Sequence, residues 1–145
     1  MPNVLIVDDE GQIRELLSRW IIGDGHQVRQ ADTAEAALDD MQVIASDVVL
    51  CDVHMPGENG LWLTSQLRER YSETAIVLAT SDRLVPPQIS LQPGVVQYLA
   101  KPFTREEVLN AVRLGAQWHE AAVSERGRTA VVVPLTKEWI GPSGS

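Results

Sequence analysis

Apolar residues are distributed along this chain in two alternating patterns. Short unbroken runs occur at "VLIV" (4–7), "DVVLC" (47–51), "AIVLA" (75–79) and "VVQYLA" (95–100), with a weaker one, "HQVRQA", at 26–31. Continuous rather than alternating runs of this length predict strands of a parallel sheet covered on both faces. Between them the apolar residues recur at helical spacing. Ile13, Leu16, Leu17, Trp20 and Ile21 form one stripe, ended by "GDG" at 23–25. Asp32 and Thr33 offer caps for a second segment, whose predicted buried face is Ala34, Ala37, Leu38, Met41 and Ile44. A third begins at Asn59-Gly60 and carries Leu63, Leu67 and Tyr71. The last opens on Thr104 and Glu107, a capping box, and runs through Val108, Ala111 and Val112 towards Trp118.

Strand and helix in alternation predict a doubly wound α/β fold, in which ligands sit beyond the carboxyl ends of the strands. The residues just after the apolar runs are then the ones to inspect. Asp8 and Asp9 follow the first run, Asp52 the third, Thr80 the fourth and Lys101 the fifth. Singly, each has an ordinary explanation as a cap, a turn residue or a surface charge. Lys101 stands out because the only other lysine lies in the tail, at 137. Crowded carboxylates at the end of a buried strand need an offsetting charge. Together they suit a hard divalent cation with oxygen ligands, best matched by Mg²⁺. A cation there polarises a phosphoryl group, and Lys101 and Thr80 can take its other oxygens.

Bulk properties narrow the classes. The 145 residues are enough for one domain and a short appendage, and the formal net charge of -8 argues against sequence-independent nucleic-acid binding. The single cysteine, Cys51, reads as a small buried hydrophobe in a reducing compartment. "MPNVLIVDD" reaches carboxylates too early for a signal peptide and no apolar run is long enough to span a membrane, so a cytoplasmic location is expected. His26 and His119 read as surface or helix-end residues without a ligand role.

In "VDDE", "CDVHMPGENG", "LATSD" and "YLAKPF" the sequence resembles the receiver domains of two-component response regulators, over residues 3 to about 122. The resemblance implies a five-stranded flavodoxin-like sheet of order 2-1-3-4-5. It implies that Asp52 is the phosphoacceptor, taking the group from a sensor histidine kinase or phosphotransfer protein. Asp9, Asp52 and the backbone carbonyl of His54 would bind Mg²⁺, with Asp8 acting mainly through metal-bound water. Thr80 and Tyr98 would be the switch residues, and the Lys101-Pro102 peptide bond would be cis. His54 and Asp82 would tune dephosphorylation. A His54 ring that orients an attacking water and one that only partners Asp82 or screens the site are both compatible with it. Such a chain is a switch, not an enzyme on outside substrates; it catalyses only its own phosphorylation and dephosphorylation. It would act on an output domain or partner protein, and a homodimer is compatible with it.

Two regions depart from that pattern. "RLVPPQISLQPG" (83–94) falls where the family has its fourth helix, and Pro86, Pro87 and Pro93 predict an irregular or missing one. Residues 123–145 lie beyond the resemblance and read as a tail or linker fragment after a domain at 1–122. Within it "TAVVV" (129–133) is strand-like and the Gly/Ser-rich end is expected to be disordered. Two rivals remain. One is a pseudo-receiver that binds partners without being phosphorylated. The other is a haloacid-dehalogenase-type phosphohydrolase, whose nucleophile would instead follow the first strand.

Overall fold

The computed structural model describes residues 2–81 and 94–132, the last seven by backbone alone. The elements run β1 (Asn3–Val7), α1 (Gly11–Gly23), β2 (Gln27–Ala31), α2 (Ala34–Val43), β3 (Val48–Asp52), α3 (Gly60–Arg70), β4 (Ala75–Thr80), β5 (Val95–Ala100) and α4 (Arg105–Val132). All adjacent strands pair in parallel, in the order β2-β1-β3-β4-β5.

The period of two along a strand divides the core. Leu5 and Val7 of β1 face α2 and α3, packing with Leu38, Met41, Leu63 and Leu67. Val4 and Ile6 face the other way, against Leu17 and Ile21 of α1 and Val108 and Val112 of α4. β1, β3 and β4 are therefore apolar at nearly every position. The edge strand β2, less covered, carries the polar pattern "QVRQA".

Local chemistry sets the helix starts. Thr33 Oγ1 accepts from Ala36 N–H, and Asn59 Oδ1 from both Leu61 and Trp62 N–H. Thr104 and Glu107 form the reciprocal box, at 2.8 and 3.1 Å. Thr104→Ala removes one half of it and should lower the unfolding midpoint in urea by the equivalent of about 1 kcal/mol. An unchanged midpoint would mean the helix start is held by packing alone.

Several expectations need correction. Ile44 is not part of a buried face: it caps α2 with extended backbone (φ -144°, ψ 119°), and its side chain is 53% exposed. The strand-like reading of 129–133 fails for the described residues, because α4 continues unbroken to Val132. That helix also passes through residue 122. His26 stands just past the end of α1, as expected, whereas His119 is not at a helix end. His26 pairs with Asp24 at 3.2 Å. His119 lies within α4, its ring nitrogens 2.7 Å from the Glu73 carbonyl oxygen and 3.2 Å from an Asp47 carboxylate oxygen. The irregular segment expected over 83–94 falls outside the described residues except for Gly94. No helix among the described residues is long and apolar enough to cross a membrane.

Candidate functional site

Four strands deliver the site to one edge. Asp8 follows β1, Asp52 ends β3, Thr80 ends β4 and Lys101 follows β5. β1 and β3 are neighbours on either side of the point where the strand order reverses, so Asp8 and Asp52 flank the crevice such sheets use for ligands. Both carboxylates are buried, at 3% and 7% exposure, and so is Thr80. Asp9 is exposed.

Lys101 joins the buried pair. Its Nζ donates to Asp52 Oδ2 at 3.1 Å and to Asp8 Oδ2 at 3.3 Å. The Lys101-Pro102 peptide bond is cis, and Lys101 N–H donates to the Thr80 carbonyl at 2.9 Å. Asp8 Oδ1 accepts from Glu10 N–H at 2.9 Å, and Asp52 Oδ1 from His54 N–H at 3.2 Å. Crowding within Asp8-Asp9-Glu10 is thus relieved in part by the protein itself: the buried Asp8 carboxylate meets an ammonium, while Asp9 and Glu10 are exposed.

Electrostatics follows from this geometry. Burial pushes the Asp52 carboxyl above its usual range and the Asp8 charge adds to that, against the opposing Lys101 bond and charge and the His54 N–H. Burial works against the Lys101 ammonium, but Asp52 and Asp8 more than offset it and hold its pKa above the ordinary lysine value. The ammonium is therefore fully charged at neutral pH. Burial also raises the Cys51 thiol, which stays protonated and lies 3.3 Å from the Asp52 carbonyl oxygen.

The donor set fits a hard cation. Asp8, Asp9 and Asp52 each offer a carboxylate oxygen, all within 4.8 Å of one another. Tyr98, on β5, packs against the cluster beneath α2 and α3, and its buried hydroxyl has no hydrogen-bond partner among the described residues. His54 is exposed. Asp82 lies outside the described residues.

Two contacts had little or no signal in the sequence. Gly60, the first residue of α3, lies so close to β3 that a Cβ there would be 2.5 Å from the Asp52 carbonyl oxygen. Arg14, in the first turn of α1, donates to the Asp8 carbonyl oxygen at 2.7 Å. Only its position one turn beyond the acidic cluster hinted at it.

Comparison with known proteins gives the family. Residues 4–113 match the family model described as the response regulator receiver domain. The response regulator protein FleR of Pseudomonas aeruginosa is 33% identical over 130 residues, covering 89% of this chain but 28% of FleR. Among solved structures, chemotaxis protein CheY4 of Vibrio cholerae superposes with a TM-score of 0.72 at 31% identity, covering 78% of this chain and 97% of CheY4. TrrA of Thermotoga maritima, solved in complex with Mg²⁺-BeF, gives a TM-score of 0.72 at 29% identity, covering 79% of this chain and 99% of TrrA. The five parallel strands, the acidic edge and the match over most of the chain lead to one assignment: this chain belongs to the response regulator receiver domain family.

Proposed function

We propose that this chain is a phosphorylation-activated signalling switch in which Asp52 accepts a phosphoryl group from a sensor histidine kinase or phosphotransfer protein. The observation that carries the reading is the triad of Asp8, Asp52 and Lys101 at the carboxyl edge of the sheet, with Asp9 beside it. Asp9 and Asp52, with the His54 carbonyl, would hold Mg²⁺, and Asp8 would act through its water. The Mg²⁺–BeF bound by TrrA supports that choice of ion. A bound Mg²⁺ would neutralise charge on the phosphoryl oxygens.

The chain's own groups do the rest. An Asp52 carboxylate oxygen attacks phosphorus in line with the bond to the donor imidazole. The P–O bond forms as the P–N bond breaks, and its electron pair returns to the ring. Lys101 would hold a phosphoryl oxygen in exchange for Asp52, and the Thr80 hydroxyl would take another. Phosphorylation would thus withdraw Lys101 from a carboxylate and engage Thr80 at the end of β4. With Tyr98 behind it, this biases the domain towards a second state. Residues 1–122 would form the receiver and 123–145 would lead to an output domain or partner, in the cytoplasm.

Intact mass after incubation with acetyl phosphate tests the reading. With Mg²⁺ the protein should gain the mass of one phosphoryl group, and with a chelator none. No gain in Mg²⁺ would overturn it.

A further inference from the structure

We propose that Arg14 is a positioning residue for the divalent cation, acting through the main chain between Asp8 and Asp9; the proposal rests on the reading of the site given above. Arg14 belongs to the first turn of α1 and reaches back to the end of β1. One guanidinium nitrogen donates to the Asp8 carbonyl oxygen at 2.7 Å, and Nε donates to Gln30 Oε1 at 3.2 Å. Gln30 Nε2 in turn donates to Ser18 Oγ at 2.9 Å, and Ser18 is buried in α1. The guanidinium is thus clamped between the edge strand β2, α1 and the Asp8 carbonyl.

This clamp bears on Asp9 through covalent geometry. The Asp8 carbonyl and the Asp9 N–H share one planar peptide unit, so fixing the direction of the carbonyl fixes the Cα from which the Asp9 side chain departs. Asp8 already has both carboxylate oxygens engaged, by Glu10 N–H and by Lys101. The exposed Asp9 carboxylate makes no hydrogen bond or ion pair among the described residues. Its placement therefore depends on its backbone, which Arg14 holds at the Asp8 carbonyl, alongside the Asp8 N–H bond to the Ala31 carbonyl at 3.2 Å. A planar fork reaches both acceptors at a fixed angle, which a lysine ammonium cannot do.

Charge alone would predict the opposite of this role. A guanidinium near a cation site repels the cation, so its removal would tighten binding. Loss of an outer group that orients a metal ligand instead weakens binding, typically by about 10–100-fold. The sign of the change separates the two.

The test is calorimetric titration of Mg²⁺ into the intact chain, as wild type, Arg14→Ala and Arg14→Lys, with urea midpoints measured alongside. We expect Kd to rise about tenfold in Arg14→Ala and by a smaller factor in Arg14→Lys. Unchanged or tighter binding in Arg14→Ala would overturn the proposal, as would lost stability with an unchanged Kd, which marks a purely structural contact. If Arg14→Ala fails to fold, Arg14→Lys decides, because it keeps the charge and loses the fork: weaker binding supports the proposal and equal binding overturns it. If the wild type itself binds no Mg²⁺, the functional reading fails first and this inference with it.

Discussion

Lys101→Met should slow phosphoryl uptake from acetyl phosphate by on the order of 10²-fold while tightening the binding of Mg²⁺. The two effects have one origin. Lys101 Nζ lies 3.1 Å from Asp52 Oδ2 and 3.3 Å from Asp8 Oδ2, on carboxylates that a cation also needs. In the resting protein the ammonium would compete with a bound metal for these carboxylates. On the proposed reading, in the transition state it would hold a phosphoryl oxygen, where charge is developing, and the methionine could not. Without metal, the variant also leaves two buried carboxylates facing each other, and loss of one partner of such a group costs about 3–5 kcal/mol. Mg²⁺ should therefore raise the unfolding midpoint of the variant more than that of the wild type. Weaker Mg²⁺ binding, or uptake within a few-fold of the wild type, would show that Lys101 is not placed as described.

The second large effect is at Gly60. A Cβ at this position would lie 2.5 Å from the Asp52 carbonyl oxygen and 2.9 Å from the Val53 Cα. Both are backbone atoms, so no rotamer change relieves the clash. Either α3 lifts from the sheet or the end of β3 shifts, and Gly60 N–H also loses its bond to the Val53 carbonyl, now 3.0 Å. Gly60→Ala should cost about 1–3 kcal/mol, read as a lower urea midpoint at constant slope. Because the displaced atoms belong to Asp52 and Val53, phosphoryl uptake should fall with it. Gly115 is the natural control. A Cβ there meets side-chain rather than backbone atoms, the Val48 methyls at 3.0 and 3.1 Å and the Ala75 Cβ at 3.4 Å, so the clash is milder than at Gly60. Alanine also favours a helix interior over glycine by about 1 kcal/mol. Gly115→Ala should therefore cost less than Gly60→Ala, and equal costs would contradict the argument.

These two residues also mark how far the sequence could be read. β1, β3 and β4 were visible because a strand buried on both faces is apolar at every position. The site was visible because carboxylates, a hydroxyl and the one lysine of the body stand directly after those runs. What Gly60 excludes and what Arg14 holds depend on distances between separate elements, and spacing along the chain does not encode them. Ile44 misled because it continues the apolar period of α2, yet the helix ends one residue earlier and the side chain turns to solvent. "TAVVV" misled because valine favours strands only weakly on its own. Here α4, once nucleated by Thr104 and Glu107, carries through those residues to Val132.

The central claim is that Asp52 is the phosphoacceptor. Its most direct test is the intact mass of the wild type and of Asp52→Asn, incubated side by side with Mg²⁺ and acetyl phosphate. Asparagine keeps the shape of the side chain and a donor–acceptor pair but offers no nucleophilic carboxylate. The account predicts one added phosphoryl group in the wild type and none in the variant. An adduct of equal extent in Asp52→Asn would place the acceptor elsewhere and contradict it.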